Sequence, residues 1–84
     1  MTQVTSWYIR RLEKGVRRRE KKISKLREKM SKNEAKHASG KLTRAKIEMK
    51  KAEIEAKIRA LSAKVSTYRG AIGKERRRIE KGED

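Results

Sequence analysis

Ile9, Leu12, Val16, Ile23, Leu26 and Met30 recur at alternating steps of three and four, with Arg19 in the one gap. A second series of the same kind runs through Ile47, Ile54, Ile58, Leu61, Val65, Tyr68, Ile72 and Ile79, broken by Lys51 and Glu75. Such spacing places a narrow apolar stripe along one side of a helix, the pattern of a coiled-coil seam. Nothing in the chain competes with helix: Pro is absent, no apolar-polar alternation suggests a strand, and Ala, Glu, Lys, Arg, Leu and Met are abundant. Between the two seams, Lys36-His37-Ala38-Ser39-Gly40-Lys41 combines small and turn-forming residues with a break in the phase of the pattern. The prediction is an all-α fold, an antiparallel two-helix, coiled-coil-like hairpin forming a single domain over residues 1–84. Helix one spans about 5–36, the turn about 37–41 and helix two about 42–80.

Folding back at Ser39-Gly40 sets Leu12 against Tyr68, Val16 against Val65, Ile23 against Ile58 and Leu26 against Ile54. On one flank of this seam Glu13 faces Arg69 and Arg27 faces Glu55. Ser31-Lys32-Asn33-Glu34 has the form of a capping box, so a new helix beginning near residue 32 is the competing boundary.

Composition sets the remaining limits. Only 33% of the 84 residues are apolar, too few for an ordinary globular core. High charge with few aromatics is also the signature of disorder, but here the charges are interleaved with apolar residues at helical spacing. Twenty-seven Lys and Arg stand against eleven Asp and Glu, a net charge of +16. A small chain this positive repels itself on compaction unless a polyanion neutralises it. With no Cys, disulfides, thiolate metal sites and thiol catalysis are excluded. His37 is the only histidine and reads as a solvated turn residue, so no metal is expected. Gly40-Lys41-Leu42-Thr43 lacks the earlier Gly of a phosphate-binding loop and carries Leu42 where Ser or Thr is required. The acids are scattered among Lys and Arg as ion-pair partners, and a two-helix hairpin offers no enclosed pocket, so neither an enzyme nor a cofactor is expected. The apolar stretches are too short for a membrane span or a secretory signal, which points to an intracellular, cytoplasmic setting without membrane contact.

Three surfaces carry the expected function. The outward face of helix one collects Arg10, Arg11, Lys14, Arg17, Arg18, Lys21 and Lys25, while Glu13 and Glu20 point to a flank. Beside the seam, Lys22 and Lys29 face Lys50, Lys57 and Lys64 with no acid among them. Arg is concentrated at the open end, where Arg76, Arg77 and Arg78 add to the Arg of helix one, and Lys supplies most of the charge near the turn. Arg presents a planar fork that suits two phosphate oxygens, whereas Lys acts as a point charge. The back of helix two carries a stripe of small residues, Leu42, Ala45, Met49, Ala52, Ala56, Ala60, Ala63, Ser66, Gly70 and Gly73, with Arg59 intruding once. Small residues let another backbone come close. Gly inside a helix is unfavourable by about 1 kcal/mol relative to Ala, so helix propensity alone does not explain the stripe. Trp7, next to Arg10 and Arg11, is expected to fold over the end of helix two near Gly73, with stacking on an unpaired base as the alternative.

These surfaces predict a structural RNA-binding protein docked on ribosomal RNA, with neighbouring ribosomal proteins or a second copy of the chain against the small-residue stripe. The two-helix, Arg-rich, Pro-free design is similar in kind to small ribosomal proteins, a likeness of architecture that no motif carries. The alternatives are a nucleoid or DNA-coating protein without sequence preference and a self-associating coiled-coil assembly protein.

Overall fold

The structure is a computed structural model that describes residues 2–82, with side chains from Trp7 onward. It is an antiparallel hairpin of two helices, α1 (Thr2–Ala38) and α2 (Arg44–Glu80), each 37 residues long. The hairpin is a rod of 60 × 15 × 13 Å.

Local chemistry explains where each helix stops. Gly40 adopts a positive φ of 78°, a conformation that only Gly takes up without strain. Its N–H donates to the His37 carbonyl while the Lys41 N–H donates to the Lys36 carbonyl, the paired bonds of a Schellman ending. His37 Nδ1 donates to the Leu42 carbonyl at 2.9 Å, and so the imidazole stitches the turn. The hydroxyl of Thr43 accepts from the Lys46 N–H and begins α2 as its N-cap. Gly82, again with positive φ, closes the far end by donating to the Ile79 carbonyl. Ser31-Lys32-Asn33-Glu34 does not begin a helix, because α1 runs through it. Asn33 is instead buried in the seam at 6% exposure, and its Nδ2 has no hydrogen-bond partner. One polar residue at a seam position lowers stability but discriminates against other registers.

The helices end and begin two residues later than the spacing predicts, and this displacement is doubled across a hairpin. The cross-helix pairing moves further still, by a full heptad of seven residues, about two helical turns, along α2. The cross-helix ion pairs record the change. Glu13 bonds Arg76 rather than Arg69, and Arg69 bonds Glu20. Arg27 lies beside Glu20 and Arg69, lining a groove with them rather than meeting Glu55. Val16 keeps Val65 as a neighbour but shares it with Ile72, and Ile9, Leu12 and Tyr68 pack against that cluster.

The seam is thin. Among the described residues Val16, Ile23, Ile54, Val65 and Ile72 are the buried apolar side chains, and the other apolar residues of the seam are half-buried. One contact is much tighter than the rest: a Cβ built on Gly15 would be driven into the ring of Tyr68. The Arg19 guanidinium lies 4.7 Å from the centre of the same ring and donates to the Gly15 carbonyl at 3.2 Å. The seam gap at Arg19 thus holds a cation over an aromatic face, with the aliphatic stem covering apolar surface.

Gly15 and Gly70 should respond oppositely to the same substitution. Gly70→Ala meets open space and should stabilise the helix by about 0.5–1 kcal/mol. Gly15→Ala gains the same propensity but forces out a ring held by Arg19, and overpacking of this kind costs about 1–3 kcal/mol. Urea denaturation followed by circular dichroism checks both. A stabilising Gly15→Ala would mean that Tyr68 does not pack on Gly15.

Candidate nucleic-acid interface

Heptad spacing along α1 decides which charges reach solvent together. Arg10, Arg11, Lys14, Arg17, Arg18, Lys21 and Lys25 are all exposed, Lys25 at the edge where it also lines a groove beside the seam. The acids of the same stretch are withdrawn from that face: Glu13 and Glu20 turn toward α2 and bond Arg76 and Arg69. The acid-free run ends at Glu28, exposed one heptad beyond Lys21. These exposed pairs contribute about 0.2–1 kcal/mol each. Their larger effect is to sort charge, because they neutralise acids on the flank and leave the outward face uniformly positive.

The opposite flank is a groove lined by Lys22, Lys25, Leu26, Lys29, Lys57, Ala60 and Leu61. Lys22, Lys29 and Lys57 are thus brought together as their heptad positions predict, and Lys25 joins them. Lys50 and Lys64 are exposed on α2 but do not line this groove. The groove has an apolar floor and a rim of like charges, so the rim opposes the seam that it borders.

At the open end Arg76 is bonded to Glu13 and Arg78 to Glu75, while the Arg77 guanidinium folds back toward Gly73. All three remain exposed. Two of these arginines therefore serve the hairpin's own ion pairs, which the sequence reading had assigned wholly to a partner. The small-residue stripe is on the surface: Ala45, Met49, Ala52, Ala56, Ala63 and Gly70 are exposed, Met49 at 66%, and Gly73 is half-buried.

Trp7 does not fold over the end of α2. It is 58% exposed, with the Arg11 guanidinium 5.4 Å from its ring centre, and the space above Gly73 is met by Arg77 instead. Trp7 and Tyr8 from the first turns of α1 and Tyr68 from α2 line one open cleft, together with Arg10, Arg11, Lys14, Arg18 and Arg19. The chain's single Trp and both of its Tyr are thereby gathered among cations. Sequence reading missed this cluster because Tyr68 is far from the others along the chain and reads as a seam residue. The signal that could have revealed it is Gly15, which lets the Tyr68 ring come up against α1.

Comparison with protein-family models, curated proteins and solved structures returned no match. Among the described residues no helix is long and apolar enough to cross a membrane.

Repulsion across the Lys groove makes the hairpin sensitive to screening. Raising sodium chloride from low ionic strength to about 0.15 M, where the Debye length falls to about 8 Å, should raise the melting temperature. The rise should be smaller in a Lys22→Gln, Lys29→Gln, Lys57→Gln variant. Equal salt responses in the two chains would show that these lysines do not oppose folding.

Proposed function

We propose that the hairpin is a structural RNA-binding protein, a rigid basic rod that braces folded RNA, with ribosomal RNA as the candidate site. The observation that carries this reading is the charge segregation on α1. Eight basic side chains are exposed from Arg10 to Lys25, seven of them assigned to the outward face and Lys22 to the lysine groove, and the two acids of that stretch are bonded to α2. An ordinary solvated face mixes signs; a uniform one is suited to a row of phosphates. In this reading, phosphates lie along the outward face and the Lys groove, and arginines at the open end set orientation. RNA is favoured over duplex DNA because Trp7 and Tyr8 are exposed among arginines, and folded RNA offers unpaired bases that an intact duplex does not.

The test removes charge without touching the seam. An Arg17→Gln, Lys21→Gln, Lys25→Gln variant should stay helical and bind RNA more weakly. Its plot of log affinity against log salt should be shallower by roughly 2 to 3 overall, since each lost phosphate contact removes about 0.7–0.9. Unchanged affinity and slope would leave the face merely solvated. In a lysate gradient RNase should release the chain from large particles; release by DNase instead would favour the DNA-coating alternative.

A second reading, self-association, is favoured by the exposure of Met49 and the open space over Gly70 on the back of α2. The same stripe would serve for docking on a neighbouring ribosomal protein. Sedimentation equilibrium of the nucleic-acid-free chain separates the possibilities: a mass that rises with concentration supports self-association, and a constant monomer mass removes it.

A further inference from the structure

The cleft at the open end has a composition that general phosphate binding does not require. Phosphates need cations alone, yet here Trp7, Tyr8 and Tyr68 are drawn into the same concavity as Arg10, Lys14 and Arg18. The two aromatics of the first turns of α1 are open to solvent beside these cations, where a flat ligand can reach them. Trp7 and Tyr8 are 58% and 42% exposed, whereas Tyr68 is half-buried against Gly15. The cations of the cleft are likewise divided between two tasks. Arg19 is committed to the fold through Tyr68 and the Gly15 carbonyl, and Arg11 lies over the Trp7 indole. Arg10, Lys14 and Arg18 are exposed.

The cleft is an open concavity of about 640 Å³ that sets three rings beside exposed cations. Its ligand must therefore offer a flat π surface and anionic groups only a few ångströms apart. An acidic peptide would satisfy the cations and leave the rings bare, and an apolar ligand would leave the cations unpaired. A nucleotide satisfies both, since every base has a π face and is flanked by phosphates. A base paired within a duplex cannot present that face, because its neighbours already cover it.

We infer that the cleft is a single-strand site, in which an unpaired base stacks on Trp7 and Tyr8 while the flanking phosphates lie on Arg10, Lys14 and Arg18. Arg11, seated over the indole, holds that ring in place for stacking. The inference rests on the RNA-binding reading and adds to it a second mode that shares Arg10, Lys14 and Arg18: duplex segments bind along the outward face, and an unpaired nucleotide stacked on the rings anchors the open end.

Trp7 is the only tryptophan, so its fluorescence reports on the cleft alone. A short unstructured RNA strand should quench it on titration, whereas a blunt RNA duplex of equal phosphate content should bind, by anisotropy, with little quenching. Trp7→Leu should keep wild-type helicity, duplex affinity and duplex salt slope, but bind the strand about tenfold more weakly, the usual scale of one lost base–aromatic stack. Trp7→Phe, which keeps a ring, should retain most of the strand affinity. Equal quenching by strand and duplex, or a Trp7→Leu variant that binds the strand as tightly as wild type, overturns the inference and leaves general RNA binding standing. Failure of the wild-type chain to bind either polymer overturns both.

Discussion

A helix in a two-helix hairpin can bury one stripe and no more, so the seam supplies nearly all of the apolar stabilisation available to this chain. The seam is narrow, with five buried apolar side chains among the described residues and none of them fully enclosed. It must also hold together a net charge of +16. The arrangement of charge around the seam is therefore a structural matter before it is a functional one. Ion pairs between Glu13 and Arg76 and between Glu20 and Arg69 stitch one flank, and the Lys22, Lys29 and Lys57 flank opposes them. A polyanion laid along the lysine flank would remove that opposition, so binding and folding should reinforce each other.

The two ends of the rod differ in chemistry for the same reason. Near the turn, helix endings are fixed by Gly40, His37 and Thr43 through hydrogen bonds to the backbone, and no Trp or Tyr is involved. At the open end no covalent turn holds the helices together. Gly15, Tyr68 and Arg19 supply a close contact there in place of a turn. That contact also gives the open end its aromatic floor, so a device that secures the hairpin simultaneously shapes the cleft proposed to take an unpaired base.

Much of the candidate surface was legible from spacing alone. The outward positions of α1 and the exposure of the α2 stripe follow from helical periodicity, which depends only on residues a few positions apart. The aromatic cleft was not legible, because it joins Trp7 and Tyr8 to Tyr68 through a close approach at Gly15 that no local pattern announces. Asn33 sits in a four-residue stretch that fits a capping box, which makes a helix start the competing reading at that place. In the fold it continues the seam, where the apolar spacing of α1 would next place a core residue.

By itself the sequence determined two helices, the glycine that ends the first, and the division of each helix into an apolar stripe and a charged remainder. All of these are set by contacts within a turn or two of the chain. Only the tertiary structure decided the register. The partners of Glu13 and Arg69 are moved by one heptad from the facing that the spacing predicts, and a seam that repeats every heptad is nearly the same in either alignment. With the register went the partners of Glu13 and Glu20, the loss of Arg76 to an internal pair, and the meeting of Trp7, Tyr8 and Tyr68. Each depends on which turn of α2 stands opposite which turn of α1, a choice made by the Gly40 and Thr43 endings and by the fit of Tyr68 against Gly15.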